Sequence, residues 1–149
     1  MDLSAMPDEV WVQDQARLVQ TAEEAGSTDS IAVEYLGVHA KLVILTTYGA
    51  KTRRARKTPV IRVEHEGRYA AVASKGGALE NPAWYHNIVA YPDIKLWDGT
   101  EEREYRARQV HGAERDEWWS RAAKAWPSYD DYKVKTSRVI PVFVLEPVD

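Results

Sequence analysis

The chain has 149 residues, 44% hydrophobic and 29% charged, with a formal net charge of −3; apolar residues run throughout, which fits one folded core and excludes wholesale disorder. It contains no cysteine, so disulfide frameworks, thiolate nucleophiles, iron–sulfur clusters and thiolate zinc sites are excluded. No apolar run approaches the roughly 18 to 20 residues of a membrane span, and the acidic N-terminus lacks a secretory apolar region, so a soluble, cytoplasmic protein is expected.

Residues 1–30 carry seven acids against one base, Arg17, a start that repels nucleic acid and anionic lipid. Within it, residues 10–25 place Trp11, Val12, Ala16, Leu18, Val19 and Ala22 near one face at helical spacing, with Gly26 as a stop. The β-branched and aromatic runs at 42–49, 58–67 and 68–74 predict strands. Glu66-Gly67 and Asp98-Gly99 have the chemistry of two-residue turns, so 58–74 and 93–110 each read as an antiparallel hairpin. Asn81 and Pro82 can open a helix that ends near Pro92, a further helix covers about 114–126, and 140–148 is a last strand. The order predicts an α+β fold, a mostly antiparallel six-stranded sheet curled into a small barrel with flanking helices, as a single domain over 1–149.

Between the first two strands, residues 51–62 hold six bases and no acid: Lys51, Arg53, Arg54, Arg56, Lys57 and Arg62. Cations held on a rigid loop, with Thr52, Thr58 and backbone N–H groups beside them, make an anion site. A Walker A loop is excluded, since GxxxxGK[ST] is absent. Charge alone leaves three readings open: a solvated strand end, a small-anion site or a nucleic-acid contact.

Strand 68–74 runs into Ser74-Lys75-Gly76-Gly77, where glycines allow backbone to approach a ligand. Next comes NPAWYHN, in which Trp84, Tyr85, His86 and Asn87 fall in one helical turn. Trp84 either stacks on a flat ring or belongs to the core. His39, His65, His86 and His111 form no pair at metal-ligand spacing, and no metal site is expected.

The succession LTTYGAKTRRARKTPV, VASKGGALENPAWYHN and WPSYDDYKVKTSRVIPVFVLEP resembles the deazaflavin (F420)-dependent nitroreductase family, within the flavin-binding split β-barrels. The resemblance spans about 36–148 and implies coenzyme F420 as cofactor. It assigns Lys51, Thr52, Arg56, Thr58, Pro59 and Val60 to the cofactor's phosphate and oligoglutamate tail; Ala73, Ser74, Lys75, Gly76 and Gly77 to its ring and ribityl chain; and Trp84 and Asn87 to its surroundings. Ala50 stands where the family commonly has arginine, and Arg53 where it commonly has glycine, which puts the loop's backbone path in question. Trp126, Tyr129 and Tyr132 match the substrate-side aromatic motif, with Trp126 in place of a tyrosine.

The resemblance implies hydride transfer to an electron-poor acceptor, a quinone, enone or nitroaromatic. Ser74, Tyr129 and Tyr132 are the candidate donors to charge developing on it. Tyr129 and Tyr132 lie on one helical face and have packing as the competing role. Rivals are a flavin mononucleotide enzyme, an F420 carrier without turnover, and nucleic-acid binding, against which the acidic start and pI of 5.8 weigh. A homodimer is open to such a barrel, and peripheral membrane contact is compatible with a lipid acceptor without being required.

Overall fold

The structure is a computed structural model that describes residues 8–35, 37–75 and 80–148, with side chains from residue 15 onward except that of Tyr35. Helix α1 (Asp8–Ala25) ends at Gly26, whose φ of +73° closes the turn. It buries Val19 and Ala22 and packs Leu18 against them, while Ala16 is exposed. The side chains of Trp11 and Val12, assigned to the same face, lie outside the described residues. A 3-10 turn (Thr28–Ser30) then docks on the far side of the sheet, where the Gly99 N–H donates to Thr28 Oγ1 at 2.6 Å.

Strand β1 (Ala32–Tyr35), which the sequence pattern does not announce, pairs antiparallel with the start of β2 (Val38–Tyr48). The strand expected over 58–67 is one extended segment with a corner at Arg62–Val63. Its first half, β3 (Ala55–Ile61), pairs with β2 from Tyr48↔Ala55 to Leu42↔Ile61, and its second half, β4 (Glu64–His65), pairs with β5 (Arg68–Val72). The expected hairpin over 58–74 is thereby corrected. Only its tip is a hairpin, closed by Glu66 and Gly67 with φ of +53° and +80°, the paired positive angles of a type I′ turn. The tight loop at 49–54 folds the chain straight back, so β2 is the nearest partner for β3.

The sheet continues from β2 to β6 (Asp93–Asp98), β7 (Glu101–Gln109), β8 (Val142–Pro147) and back to β5, every pairing antiparallel. The path β3-β2-β6-β7-β8-β5-β4 starts and finishes on the cornered segment, so the sheet curls until its two ends meet. Counting that segment once gives the six strands expected; the corner and β1 raise the number of strand segments to eight.

Alternation sorts the two faces. Val43, Leu45, Tyr69, Ala71, Ile94, Leu96, Tyr105, Ala107, Phe143 and Leu145 share the inner face, joined by Trp84 and Ile88 of α2 (Ala83–Ala90), which plugs one end. The outer face of β2, β5 and β8 is covered by α1, α3 (Gly112–Ala125) and α4 (Ser128–Lys135), through Trp118, Trp119, Ala122, Trp126 and Tyr129. Among the described residues, no helix is long and apolar enough to cross a membrane.

Register fixes which ends coincide. Tyr48↔Ala55, Thr46↔Lys95, Gln109↔Phe143 and Val72↔Val142 bring the β2–β3 loop, the end of β5, α2 and the start of β8 to one end of the barrel. The opposite end carries Asp98, which accepts from Arg62 Nε at 2.9 Å and from the Tyr69 hydroxyl.

Candidate cofactor site

At the first of these ends, the β2–β3 loop is a closed turn. The Gly49 N–H donates to the Arg54 carbonyl at 2.9 Å and the Arg53 N–H to the Gly49 carbonyl at 2.7 Å. Thr52 Oγ1 accepts the Arg54 N–H at 3.2 Å, and a Cβ built on Gly49 would meet that oxygen at 2.6 Å. A side chain at 49 would therefore have to turn the Thr52 hydroxyl away from its place beside the Arg54 N–H. The doubt about Arg53 is resolved in favour of the glycine path: its φ is +60°, a left-handed conformation that costs a non-glycine residue roughly 1–2 kcal/mol.

Two side chains, one from α2 and one from its C-terminal cap, tether this turn. Asn87, 8% exposed, accepts the Ala50 N–H on Oδ1 at 3.0 Å and donates from Nδ2 to Thr47 Oγ1 at 3.2 Å. Tyr91, just past the helix, accepts Arg53 Nε on its hydroxyl at 2.9 Å, with the guanidinium 5.1 Å from the ring centroid. The hydrogen bond to Tyr91 holds the Arg53 pKa above its ordinary value.

The six bases divide by function. Arg62 pairs with Asp98 at the far end, Lys57 pairs with Glu23 of α1 at 3.0 Å, and Arg53 is engaged by Tyr91. Lys51, Arg54 and Arg56 are exposed, and none of them has an ion-pair partner among the described residues. Strand alternation sets Arg56, Thr58 and Val60 opposite Thr47, Leu45 and Val43, on the inner face, where Val60 packs on the barrel core. Lys57, Pro59 and Ile61 fall on the other face. Pro59 is accordingly buried beside Ile44, on the face opposite Arg56.

At the same end of the barrel, Ala73 and Ser74 are buried just past β5. Arg138 clamps them: its Nη2 donates to the carbonyls of Ser74 at 2.8 Å and Ala73 at 3.1 Å, and its Nη1 to Asn81 Oδ1 at 2.8 Å. Burial lowers the Arg138 pKa from its ordinary value, yet an arginine remains charged. Asn81 therefore does not cap α2, which starts after Pro82 without a side-chain cap. Lys75, at φ +45°, pairs with Glu80 at 3.2 Å. Gly76 and Gly77 lie outside the described residues.

The aromatic candidates separate. Trp84 is 6% exposed and edge-on to Phe143, so it walls the barrel and has little surface to offer a ring. Trp126 and Tyr129 sit in the outer core, Tyr129 4% exposed beside Trp119. Burial, followed by the neighbouring Tyr132, pushes the Tyr129 phenol far above the ordinary tyrosine range, and it stays protonated. Tyr132 stands edge-on to Tyr129, half-buried on α4.

Arg138 and Tyr91 are not found by sequence reasoning, and Arg54 is found there only as one of the six bases of the anion loop. Arg54 sits within the basic run and carries the same signal as its neighbours; Arg138 and Tyr91 act over 38 residues or more and leave no local pattern.

The donor set suits F420. Three cations without an ion-pair partner among the described residues, with the Thr52 hydroxyl, suit a polyanionic tail, and residues 73–75 lie at the same end of the barrel.

Comparison with known proteins agrees. The sequence model of a family described as F420H(2)-dependent quinone reductase matches residues 15–147. An F420H(2)-dependent quinone reductase of Mycobacterium tuberculosis (strain H37Rv) is 35% identical over 111 residues, covering 69% of this chain and 71% of its own. A solved F420-H2 dependent reductase superposes with a TM-score of 0.68 at 45% identity, over 70% of this chain and 93% of that one. A solved structure described as a domain-swapped dimer gives 0.70 at 39% identity, over 94% and 100%. A heme-binding protein of Mycobacterium smegmatis, 14% identical with a TM-score of 0.58 over 85% of this chain and 51% of its own, shares the fold alone. The chain belongs to the F420H(2)-dependent quinone reductase family.

Proposed function

We propose that Lys51, Arg54 and Arg56, with the Thr52 and Thr58 hydroxyls, hold the phosphate and carboxylates of F420, while the 73–77 turn lines its ring. As a family member the chain is an F420-dependent oxidoreductase acting on a quinone-type acceptor. When bound, reduced F420 supplies the hydride. The protein's share is placement and electrostatics. The loop cations fix the anionic end, and the backbone turn held by Arg138 sets the depth of the ring. The Tyr132 hydroxyl, or that of Ser74, donates a hydrogen bond to the acceptor oxygen as negative charge builds there. Trp126 and Tyr129 support Tyr132 by packing. The observation that carries this reading is the set of three cations, without an ion-pair partner among the described residues, at the same barrel end as Ser74.

Titration with F420 beside flavin mononucleotide, followed by single-turnover oxidation of bound reduced cofactor with a soluble quinone, tests it. Binding of F420 with quinone-dependent oxidation is expected. Binding without oxidation would leave a carrier, and preference for flavin mononucleotide would overturn the tail assignment. We also read the chain as pairing with a second copy, supported by the relative described as a domain-swapped dimer; a monomeric sedimentation coefficient at micromolar concentration would refute this.

A further inference from the structure

We propose that Arg53 and Tyr91 form a positioning clasp that holds the anion loop in its binding shape, performing with a side-chain pair what glycine does unaided. The proposal rests on the assignment of loop 49–56 to the cofactor tail.

Arg53 has φ +60°, a region that residues with a Cβ leave readily unless something restrains them. The restraint is visible. Nε donates to the Tyr91 hydroxyl at 2.9 Å and the guanidinium lies 5.1 Å from the ring centroid, so hydrogen bond and cation–π attraction act together. No other side chain among the described residues engages Arg53.

Tyr91 does not act alone. It lies four residues after Asn87, on the same side of the α2 segment, and Asn87 holds the Ala50 N–H at 3.0 Å. The two tethers grip the turn at 50 and 53 and leave Lys51 and Thr52 between them projecting to solvent. Position 53 is also where arginine replaces the glycine of the related pattern, so Tyr91 secures the turn at the one of these two points where its backbone is strained. When Tyr91 lets go, Arg53 relaxes to negative φ for part of the time, and apparent affinity falls by the fraction of loops that remain competent.

This differs from a role for Arg53 as a plain cation. Tyr91→Phe keeps both charge and ring and removes only the hydroxyl. F420 dissociation constants would be measured by fluorescence titration for the wild type, Tyr91→Phe, Arg53→Gly and the double variant. Tyr91→Phe is expected to raise the constant about fivefold in the parent chain and less than about twofold once Arg53→Gly is present, because glycine needs no restraint. The KM for F420 should rise with it, while the KM for the acceptor holds. Without cofactor, trypsin should cut after Arg53 or Arg54 faster in Tyr91→Phe than in wild type.

Equal effects of Tyr91→Phe in the two backgrounds, or none in either, would overturn the clasp while the cofactor assignment stands. A wild-type chain that ignores F420 would instead overturn the assignment of the loop, and the proposal with it. Unchanged trypsin cleavage in Tyr91→Phe counts against the clasp independently of any cofactor.

Discussion

Arg138 reaches 64 residues back along the chain to donate from Nη2 to the Ser74 carbonyl at 2.8 Å. The same guanidinium holds Ala73 and Asn81, so one side chain joins the end of β5 to the residue just before Pro82 and α2. Its fork matches two carbonyls and an amide oxygen at once, a geometry an ammonium cannot copy.

Arg138→Ala strips three acceptors of a charged donor and is expected to cost about 2 kcal/mol of stability, with F420 affinity reduced about tenfold. Arg138→Lys should fall between wild type and alanine. Urea midpoints and fluorescence titrations check both values; a full-affinity alanine variant would free the turn from this side chain.

Lys51→Ala and Arg56→Ala are each expected to weaken F420 binding by about 1–3 kcal/mol through loss of charge-assisted hydrogen bonds. Lys57→Ala is the control within the same run: its ammonium is paired with Glu23 on the opposite face, so it should change binding by less than about 0.5 kcal/mol. Equal losses at 56 and 57 would contradict the alternation of β3.

Tyr132→Phe should lower kcat more than it weakens F420 binding, the pattern of a contact made in the transition state. Steady-state kinetics beside direct titration separate the two. Unchanged kcat would return Tyr132 to packing against Tyr129.

A pH effect follows from Arg108, which forks onto Glu114 at 2.7 and 2.9 Å and onto Glu146 at 2.7 Å. Its hydrogen bonds and charge hold the Glu114 pKa below the ordinary 4.5. A carboxyl depressed on folding contributes stability that is fully present above the unfolded-state value and is lost as pH falls below about 4.5 through the lower folded value. Melting temperature should therefore drop less steeply between neutral pH and pH of about 3 in Glu114→Gln than in wild type; parallel curves would disprove the linkage.

What the sequence made legible were the features with short range. The helix over 10–25, the strand at 42–49, the turn at Gly99 and the basic run each depend on neighbours within a few residues, and their outlines recur in the fold. The partner of residues 55–61 is not legible locally, because a turn signal at Glu66-Gly67 describes only the residues around it, while the competing loop at 49–54 lacks a turn dipeptide and adopts its path through Arg53. At the site, cations were visible as cations, but which of them were already paired was decided by Glu23 and Asp98, 34 and 36 residues away. The burial of Trp84 and Tyr129 depended likewise on rings brought in by other elements.

The corner at Arg62–Val63 makes a single strand common to both seams of the barrel, since Arg62 N–H continues the ladder to Lys41 and the Val63 carbonyl the ladder to Ala70, each at 2.9 Å. The loop that grips the anion feeds straight into that strand. Force applied by a departing ligand is thus shared between two rows of backbone bonds, one on each flank, and the mount recoils little. The amide protons of Thr58 and Val60, which face β2, should therefore exchange with solvent later than those of Lys51 and Thr52 at the exposed tip of the loop.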